Sequence, residues 1–172
     1  MLEIIEPNTP DQLDAVRRLC WEYRDFLSAL SPFDAKIVDS VYPVAKYQGI
    51  VDRLEQEHAR PAGAIRLALV DGQPVGCGMY HQLAPDIAEI KRVFVADAAR
   101  GTGAGFAIMR ALIDQAKRAG YKRILMDTSK PLKAAQKLYL SLGFNTRAPY
   151  QEIPEIAKDH LLFFEMDLQG TA

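Results

Sequence analysis

Three glycines within the six residues 100–105 restrict this chain more than any other feature of its sequence. The segment reads Arg-Gly-Thr-Gly-Ala-Gly, follows a stretch with strand character and precedes a stretch with helical spacing. Glycines let a backbone approach a ligand without a Cβ clash, and the first N–H groups of a helix can bind an anion. The segment predicts a diphosphate site to which Arg100 adds a permanent charge. The alternative is a glycine-rich turn that only starts a helix.

The spacing of these glycines disfavours two common nucleotide-binding motifs. A dinucleotide fingerprint needs GxGxxG, but the sixth position is Phe106 when counted from Gly101 and Ile108 when counted from Gly103. The phosphate loop of nucleotide hydrolases needs Gly-Lys-Ser or Gly-Lys-Thr, which the segment lacks. A nucleotide-binding protein of either kind is therefore an unfavourable interpretation.

Hydrophobic periodicity and turn residues predict the elements around the loop. Thr9 and Gln12 have the spacing of a capping box at the start of a helix that Ser31-Pro32 ends. The predicted strands are residues 1–5, 65–70, 74–80, 87–95, 121–127 and 161–168, and the predicted helices are residues 9–30, 44–58, 103–119 and 132–142. This order mixes hairpins with one βαβ crossover, which predicts an α/β fold with one mixed sheet and helices on its faces.

Composition limits the class of protein. A chain of 172 residues, 49% hydrophobic and 25% charged, suits a single domain spanning residues 1–172. Lys and Arg (21) nearly balance Asp and Glu (22), so the basic excess of a nucleic-acid binder is missing. No apolar run approaches the ~18 residues of a membrane span, and the N-terminus does not resemble a signal peptide. We therefore expect a cytoplasmic protein that binds neither nucleic acid nor membrane.

Cysteine and histidine spacing gives no sign of a metal or a disulfide framework. Cys20 and Cys77 are far apart and form no CxxC pair. His58, His81 and His160 lack metal-ligand spacing, so we expect no metal.

Three motifs, in the same order, resemble those of the GNAT superfamily of N-acetyltransferases. The hallmark of that family is Arg/Gln-x-x-Gly-x-Gly/Ala, and the residues that fill it here are Arg100, Gly103 and Gly105. Residues 89–95 resemble the strand before the hallmark, and residues 135–144 resemble the family segment A-x-x-L-Y-x-x-L-G-F. The resemblance is strong over residues 88–144. It departs at Leu132, where many members carry an Asn that contacts the pantetheine arm of the cosubstrate.

The resemblance implies a mostly antiparallel central sheet with one splayed parallel pair of strands, flanked by helices on both faces. It also implies acetyl-CoA as cosubstrate and no metal. The diphosphate would bind the glycine loop, and the pantetheine arm would pair with the strand edge before it. The cosubstrate-binding residues implied are Val93, Phe94, Val95, Arg100, Gly101, Thr102, Gly103, Ala104 and Gly105.

Two residues are candidates for acid–base catalysis. Glu89 is the candidate base, because most amines are protonated at neutral pH and cannot attack. Alternation along its strand would place Glu89 on one face with Lys91 and Val93, and it could instead face solvent or pair with Lys91 or Arg123. Tyr139 is the candidate acid for the departing thiolate. Its alternative role is packing within a helix face.

These observations predict an N-acetyltransferase that moves an acetyl group from acetyl-CoA to a primary amine by direct transfer. The acceptor amine would belong to a small molecule or to a protein, and the near-neutral charge does not select between them. The alternative is a non-catalytic acyl-CoA-binding sensor or scaffold. Trp21, Tyr23, Tyr42 and Tyr47 either line an acceptor pocket or pack between helices. The sequence is compatible with a monomer or a homodimer.

Overall fold

The fold is built around one sheet, described here for residues 1–169 from a computed structural model. Its strands follow one another across the sheet in the order β1-β2-β3-β4-β5-β7-β6. The strands are β1 (Leu2–Ile5), β2 (Ala64–Val70), β3 (Gln73–Ala84), β4 (Ile87–Val95), β5 (Arg123–Ser129), β6 (Asn145–Arg147) and β7 (Leu161–Asp167). Every neighbouring pair is antiparallel except β4 and β5, which are parallel. The predicted mixed sheet with one parallel pair is confirmed.

Helices cover both faces of the sheet, as predicted. They are α1 (Pro10–Ser28), α2 (Pro32–Val41), α3 (Val44–Asp52), α4 (Leu54–Glu57), α5 (Ala104–Arg118) and α6 (Lys133–Ser141), with short 3-10 turns at Asp97–Ala99 and Glu155–Ala157. Ile108 and Leu112 of α5 are fully buried in the core on one face. Val16 and Leu19 of α1 are buried in the core on the other. The sheet therefore separates two apolar layers.

The N-terminal region contains four helices, two more than the sequence predicted. The capping box of α1 is confirmed, since the Thr9 hydroxyl accepts from the Gln12 N–H at 3.2 Å. Ser31-Pro32 does follow the end of α1, but it also starts α2. The Ser31 hydroxyl accepts from the Asp34 N–H at 3.0 Å, and proline occupies the first helical position. The single helix predicted over residues 44–58 is divided at Arg53 into α3 and α4.

Strand β4 carries a bulge at Arg92, whose φ of 52° lies in the left-handed region. The register between β3 and β4 shifts by one residue there, from Met79 opposite Lys91 to Cys77 opposite Phe94. The extra residue reverses the alternation along the rest of the strand. Val93 and Val95 therefore pack into the core of α5 with Ile90, and the prediction that they share the face of Glu89 was wrong.

The two parallel strands separate soon after they begin. Their last paired residues are Glu89 and Leu125, although β4 continues to Val95 and β5 to Ser129. Beyond that pair, the facing edges of the two strands lack a ladder partner within residues 1–169. The sheet is therefore open in its centre, where the predicted splayed pair was expected.

Candidate active site

A cavity of about 890 Å³ occupies the gap between β4 and β5 and extends to α1 and α2. The sequence-predicted site residues that line it are Val93, Phe94, Val95, Arg100, Gly101, Gly103, Ala104, Gly105 and Tyr139. Glu89 and Thr102 are not among the lining residues. The fold thus brings the glycine loop and the predicted acid to one cavity, with the predicted base set behind its wall.

The glycine loop presents free backbone donors to this cavity. Gly101 and Gly103 have φ of 84° and 85°, a conformation that glycine adopts at little cost. Helix α5 begins directly after Gly103, so the N–H groups of its first turn have no intrahelical acceptor. The Thr102 hydroxyl instead donates to the Ala99 carbonyl at 2.6 Å and holds the turn together.

Arg100 is held at the edge of the loop by two contacts. Its Nη1 lies 2.7 Å from Asp97 Oδ1, and its guanidinium stacks 4.7 Å from the ring centroid of Phe26. About half of the side chain is exposed, so this ion pair is weak and can exchange for a stronger anionic partner. The arrangement keeps a permanent positive charge beside the free N–H groups of α5.

Glu89 is 2% exposed and has hydrogen-bond partners for both carboxylate oxygens. His81 Nε2 lies 2.7 Å from Oε1, and the Tyr150 hydroxyl donates to Oε2 at 2.6 Å. Lys91 Nζ is 3.5 Å from Oε2, as one alternative interpretation of the sequence anticipated. Burial acts to raise the pKa of Glu89, but these partners together hold it below its usual value. Glu89 is therefore a buried carboxylate whose negative charge is stabilised by hydrogen bonds and by Lys91.

Asp127 is the carboxylate that lines the cavity beside the β4–β5 gap. It lies on β5 two residues beyond the last β4–β5 pair, and Lys91 occupies the matching place on β4. Oδ2 of Asp127 accepts a hydrogen bond from the Gln151 side-chain amide at 3.3 Å. Burial raises the pKa of Asp127 above its usual value, although the charge of Lys91 opposes the shift. A cavity-facing carboxylate with a raised pKa is suited to accept a proton.

Tyr139 lines the cavity from α6 and is only 5% exposed. Its ring makes edge contacts with Phe144 and Phe164 at centroid distances of 6.2 and 5.7 Å. Burial, helped by the negative charge of Asp127, raises the pKa of its hydroxyl above the usual value. Tyr139 therefore both packs and keeps its proton at physiological pH, so its two predicted roles are compatible.

The four aromatic residues of the N-terminal helices divide between the predicted roles. Tyr23 and Tyr42 line the cavity. Trp21 and Tyr47 pack against each other at 5.0 Å, and the Tyr47 hydroxyl donates to the Cys20 carbonyl at 2.6 Å. Of these four, the two that line the cavity therefore come from α1 and from the residue that follows α2.

A hydrogen bond joins two distant segments that both line the cavity. His160 Nε2 lies 2.5 Å from Asp34 Oδ1 and ties α2 to the segment before β7. The latter segment contributes Gln151, Glu152, Ile153 and Pro154 to the cavity wall. Helix α2 and residues 151–154 therefore line the same cavity as the β4–β5 gap.

Sequence reasoning missed three charged or polar neighbours of this gap: Lys91, Arg92 and Asp127. A signal existed in the adjacent charges at 91 and 92 within an otherwise apolar strand. Their common access to the cavity depends on the bulge, which the sequence pattern did not reveal. Asp127 ends a predicted strand, and only the separation of β4 from β5 exposes it.

Within residues 1–169, no helix is both long and apolar enough to cross a membrane. The same residues contain no group of three or more His, Cys, Asp or Glu side chains that could hold a metal ion.

Comparison with known proteins decides the family. The model of the acetyltransferase (GNAT) family matches residues 20–144, which is most of the chain. The chain belongs to the GNAT family. As a member, it is an acetyl-CoA-dependent acetyltransferase. An uncharacterized N-acetyltransferase of Schizosaccharomyces pombe is 28% identical to it over 149 residues, which cover 84% of this chain and 83% of the relative.

Solved structures support the GNAT fold over the whole chain. A GNAT-family acetyltransferase from Staphylococcus aureus superposes with a TM-score of 0.75 at 18% identity, covering 98% of this chain and 100% of that one. An N-acetyltransferase from Thermoplasma acidophilum, solved in complex with coenzyme A, gives a TM-score of 0.71 at 14% identity, covering 97% and 99%. At such identities the likeness concerns the fold of this GNAT acetyltransferase, and its chemistry must be argued from its own residues.

Proposed function

We propose that residues 1–172 form one acetyltransferase domain that moves an acetyl group from acetyl-CoA directly to a primary amine, with both substrates bound together. The observation that carries this proposal is the continuous cavity of about 890 Å³ that joins the glycine loop, the β4–β5 gap and Tyr139. Holding an amine beside a thioester can lower the barrier by up to ~7–11 kcal/mol in favourable models. Direct transfer then needs no nucleophilic residue of the protein.

The residues of the loop fit the diphosphate of the cosubstrate. A Cβ at Gly101 or Gly103 would meet no protein atom within 4 Å, so the space above both glycines is open to a ligand. The free N–H groups and dipole of α5 favour an anion there. The unpaired edge of β4 at residues 93–95 would bind the pantetheine arm as an added strand. When bound, the cosubstrate supplies the activated acyl group as a thioester.

A carboxylate must take the proton of the attacking amine. Glu89 remains the base predicted from the sequence, and because it is buried it would receive the proton through the Tyr150 hydroxyl or a water. Asp127 is a second candidate, favoured by its place on the cavity wall and by its raised pKa. A carboxylate whose pKa lies closer to neutrality is the stronger proton acceptor.

The departing thiolate needs a proton, and we assign its donation to Tyr139. Tyr139 lines the cavity, and burial raises the pKa of its hydroxyl and keeps it protonated. Backbone N–H groups on the free edge of β4 would stabilise the negative charge that develops on the carbonyl oxygen. These roles accelerate the reaction, whereas proximity supplies the larger part of the rate.

We assign the acceptor to the end of the cavity that lies between helix α2 and residues 151–154, called here the acceptor end. Its enclosure favours a small-molecule amine over an amine on a folded protein. Helix α2 and residues 151–154 wall this end, and the Asp34–His160 hydrogen bond holds them together. A lysine on a folded protein would need these segments to move apart. A small amine would not.

Cosubstrate binding can be tested with a matched pair of glycine variants. Gly103→Ala and Gly72→Ala both introduce a Cβ at strongly positive φ, 85° and 81°, and neither Cβ meets a protein atom within 4 Å. Gly72 lies in the β2–β3 turn, away from the cavity. Calorimetric titration with acetyl-CoA, CoA and NAD should show tight binding of both CoA species and none of NAD. Gly103→Ala should weaken binding of both CoA species while Gly72→Ala does not; equal affinities would refute the loop assignment.

Transfer itself can be tested by initial-rate kinetics with an amine panel and detection of the released thiol. Direct transfer predicts intersecting double-reciprocal plots, whereas parallel plots would indicate an acyl-enzyme and contradict the proposal. Asp127→Asn and Glu89→Gln identify the base. We expect substitution of the residue that accepts the proton to lower kcat by ~100-fold or more. CoA binding without turnover of any amine would instead support a non-catalytic sensor.

A further inference from the structure

Arg92 stands at the β4 bulge and lines the cavity beside the β4–β5 gap. Its φ of 52° lies in the left-handed region, which is unfavourable for a residue with a side chain. The bulge lets the two consecutive residues Lys91 and Arg92 both reach the cavity, which a regular strand would prevent. The fold therefore tolerates a strained backbone and, as a result, places a guanidinium at this point.

A buried histidine orients Arg92 without neutralising its charge. His58 Nδ1 lies 2.9 Å from the Tyr80 carbonyl, which can only accept, so Nδ1 carries the proton. Nε2 of His58 then holds a lone pair and accepts from Arg92 Nη2 at 3.1 Å. Burial lowers the pKa of His58 to about 4, and the imidazole is neutral at physiological pH. The guanidinium is therefore fixed by a partner that leaves its charge uncompensated.

Within residues 1–169, no carboxylate lies within ion-pair distance of Arg92, in contrast to its charged neighbours. Lys91 is paired with Glu89 and Arg100 with Asp97. Moreover, Arg92 Nε is buried without a hydrogen-bond partner in the same part of the chain. A partly buried cation that lacks an anion is costly unless a ligand supplies one. The planar guanidinium matches a carboxylate better than any other common anion except phosphate.

The diphosphate of acetyl-CoA is not this missing anion under the proposed binding mode. The diphosphate would occupy the glycine loop, which lies beyond residues 93–95 of β4, and the intervening pantetheine arm is uncharged. Arg92 and Asp127 instead line the cavity from the two strands that separate, β4 and β5, each beyond the last pair that joins them.

We propose that the acceptor is a small amino carboxylate, such as a free α-amino acid, whose carboxylate binds Arg92 while its amine faces Asp127. This proposal rests on the proposed amine acetylation and narrows its substrate class. The carboxylate and the amine of the acceptor, both bonded to one carbon, would meet the Arg92 guanidinium and the Asp127 carboxylate on the cavity wall. The bound carboxylate would orient the amine toward the thioester, and an amine without a carboxylate would lack this anchor.

The test compares three acceptors that differ only at the carboxylate: phenylalanine, phenylalaninamide and phenethylamine, with methionine and its two analogues as a second series. With saturating acetyl-CoA, we expect kcat/KM to be ~10–100-fold higher for the amino acid of a series than for its uncharged analogues, from the strength of a charged hydrogen bond. Arg92→Met should remove most of that preference by raising KM, and Arg92→Lys should restore part of it. Arg110→Met, on the outer part of α5, is the matched control.

Each outcome separates the two proposals. If amines are acetylated with no preference for a carboxylate in either series, the assignment of Arg92 is wrong and the acetyltransferase function stands. If no amine in the panel is acetylated, the proposed function itself fails. If Arg92→Met abolishes calorimetric binding of CoA, Arg92 belongs to the cosubstrate site and the proposal is overturned. The wild-type comparison of acceptors does not depend on whether the variant folds.

Discussion

The neutral state of His58 makes a quantitative prediction about stability. His58 is 2% exposed, and its pKa in the folded protein is about 4 against an ordinary value of 6.5. Between these two pKa values His58 is protonated in the unfolded chain and neutral in the folded protein. The free energy of unfolding therefore falls as the pH falls. Two and a half pKa units correspond to about 3 kcal/mol in full, and about 2 kcal/mol is lost between about pH 7.5 and pH 5.

A variant that cannot titrate isolates this contribution. The amide N–H of Asn in His58→Asn can still donate to the Tyr80 carbonyl, which now accepts from Nδ1 at 2.9 Å. We expect urea unfolding to show that wild-type protein loses about 2 kcal/mol more than His58→Asn on going from about pH 7.5 to pH 5. Other titrating groups cancel in this difference. Equal losses in the two proteins, or an NMR titration of His58 near its ordinary pKa, would refute the reasoning.

Two further predictions concern catalysis and packing. Tyr139→Phe keeps the ring contacts with Phe144 and Phe164, so we expect a kcat lower by ~100-fold or less with an unchanged melting temperature and unchanged acetyl-CoA affinity; an unaltered kcat would remove Tyr139 from the mechanism. Gly78→Ala would place a Cβ 2.7 Å from Ile108 Cγ2 in the core of α5, at a cost of ~1–3 kcal/mol in urea unfolding. Gly49→Ala is the control, because its Cβ meets only the mobile end of Arg53, and it should be neutral or slightly stabilising.

Local signals allowed most of the fold to be predicted from the sequence. The capping box at Thr9 and the glycines that begin and follow α5 have a physical meaning within a few residues, and each was confirmed. Helix α2 was missed because Ser31-Pro32 can either end one helix or start the next. The hydrogen bond from the Asp34 N–H to the Ser31 hydroxyl shows that it also starts a helix here. Strand β6 was missed because three residues carry no readable periodicity.

The candidate site was harder to predict, since it depends on where regular patterns fail. The glycine loop and Tyr139 were found from their motif, and the structure brings both to the cavity. The side-chain directions along β4 after Lys91 were wrong, because a bulge adds a residue without any glycine to announce it. Asp127 and Arg92 gained their significance only from the separation of two strands and from a histidine thirty-four positions away in sequence.

The gap between β4 and β5 also has a consequence for the lifetime of the protein. Where β4 and β5 separate, the sheet lacks ladder hydrogen bonds at its centre, and a bound pantetheine arm would supply hydrogen bonds to the free edge of β4. Cosubstrate would then act as part of the fold, adding about 2.7 kcal/mol to stability when its concentration is 100 times its dissociation constant. We therefore expect the resistance of the protein to proteolysis to rise and fall with the supply of acetyl-CoA, which would couple the abundance of the enzyme to the metabolic state of its surroundings.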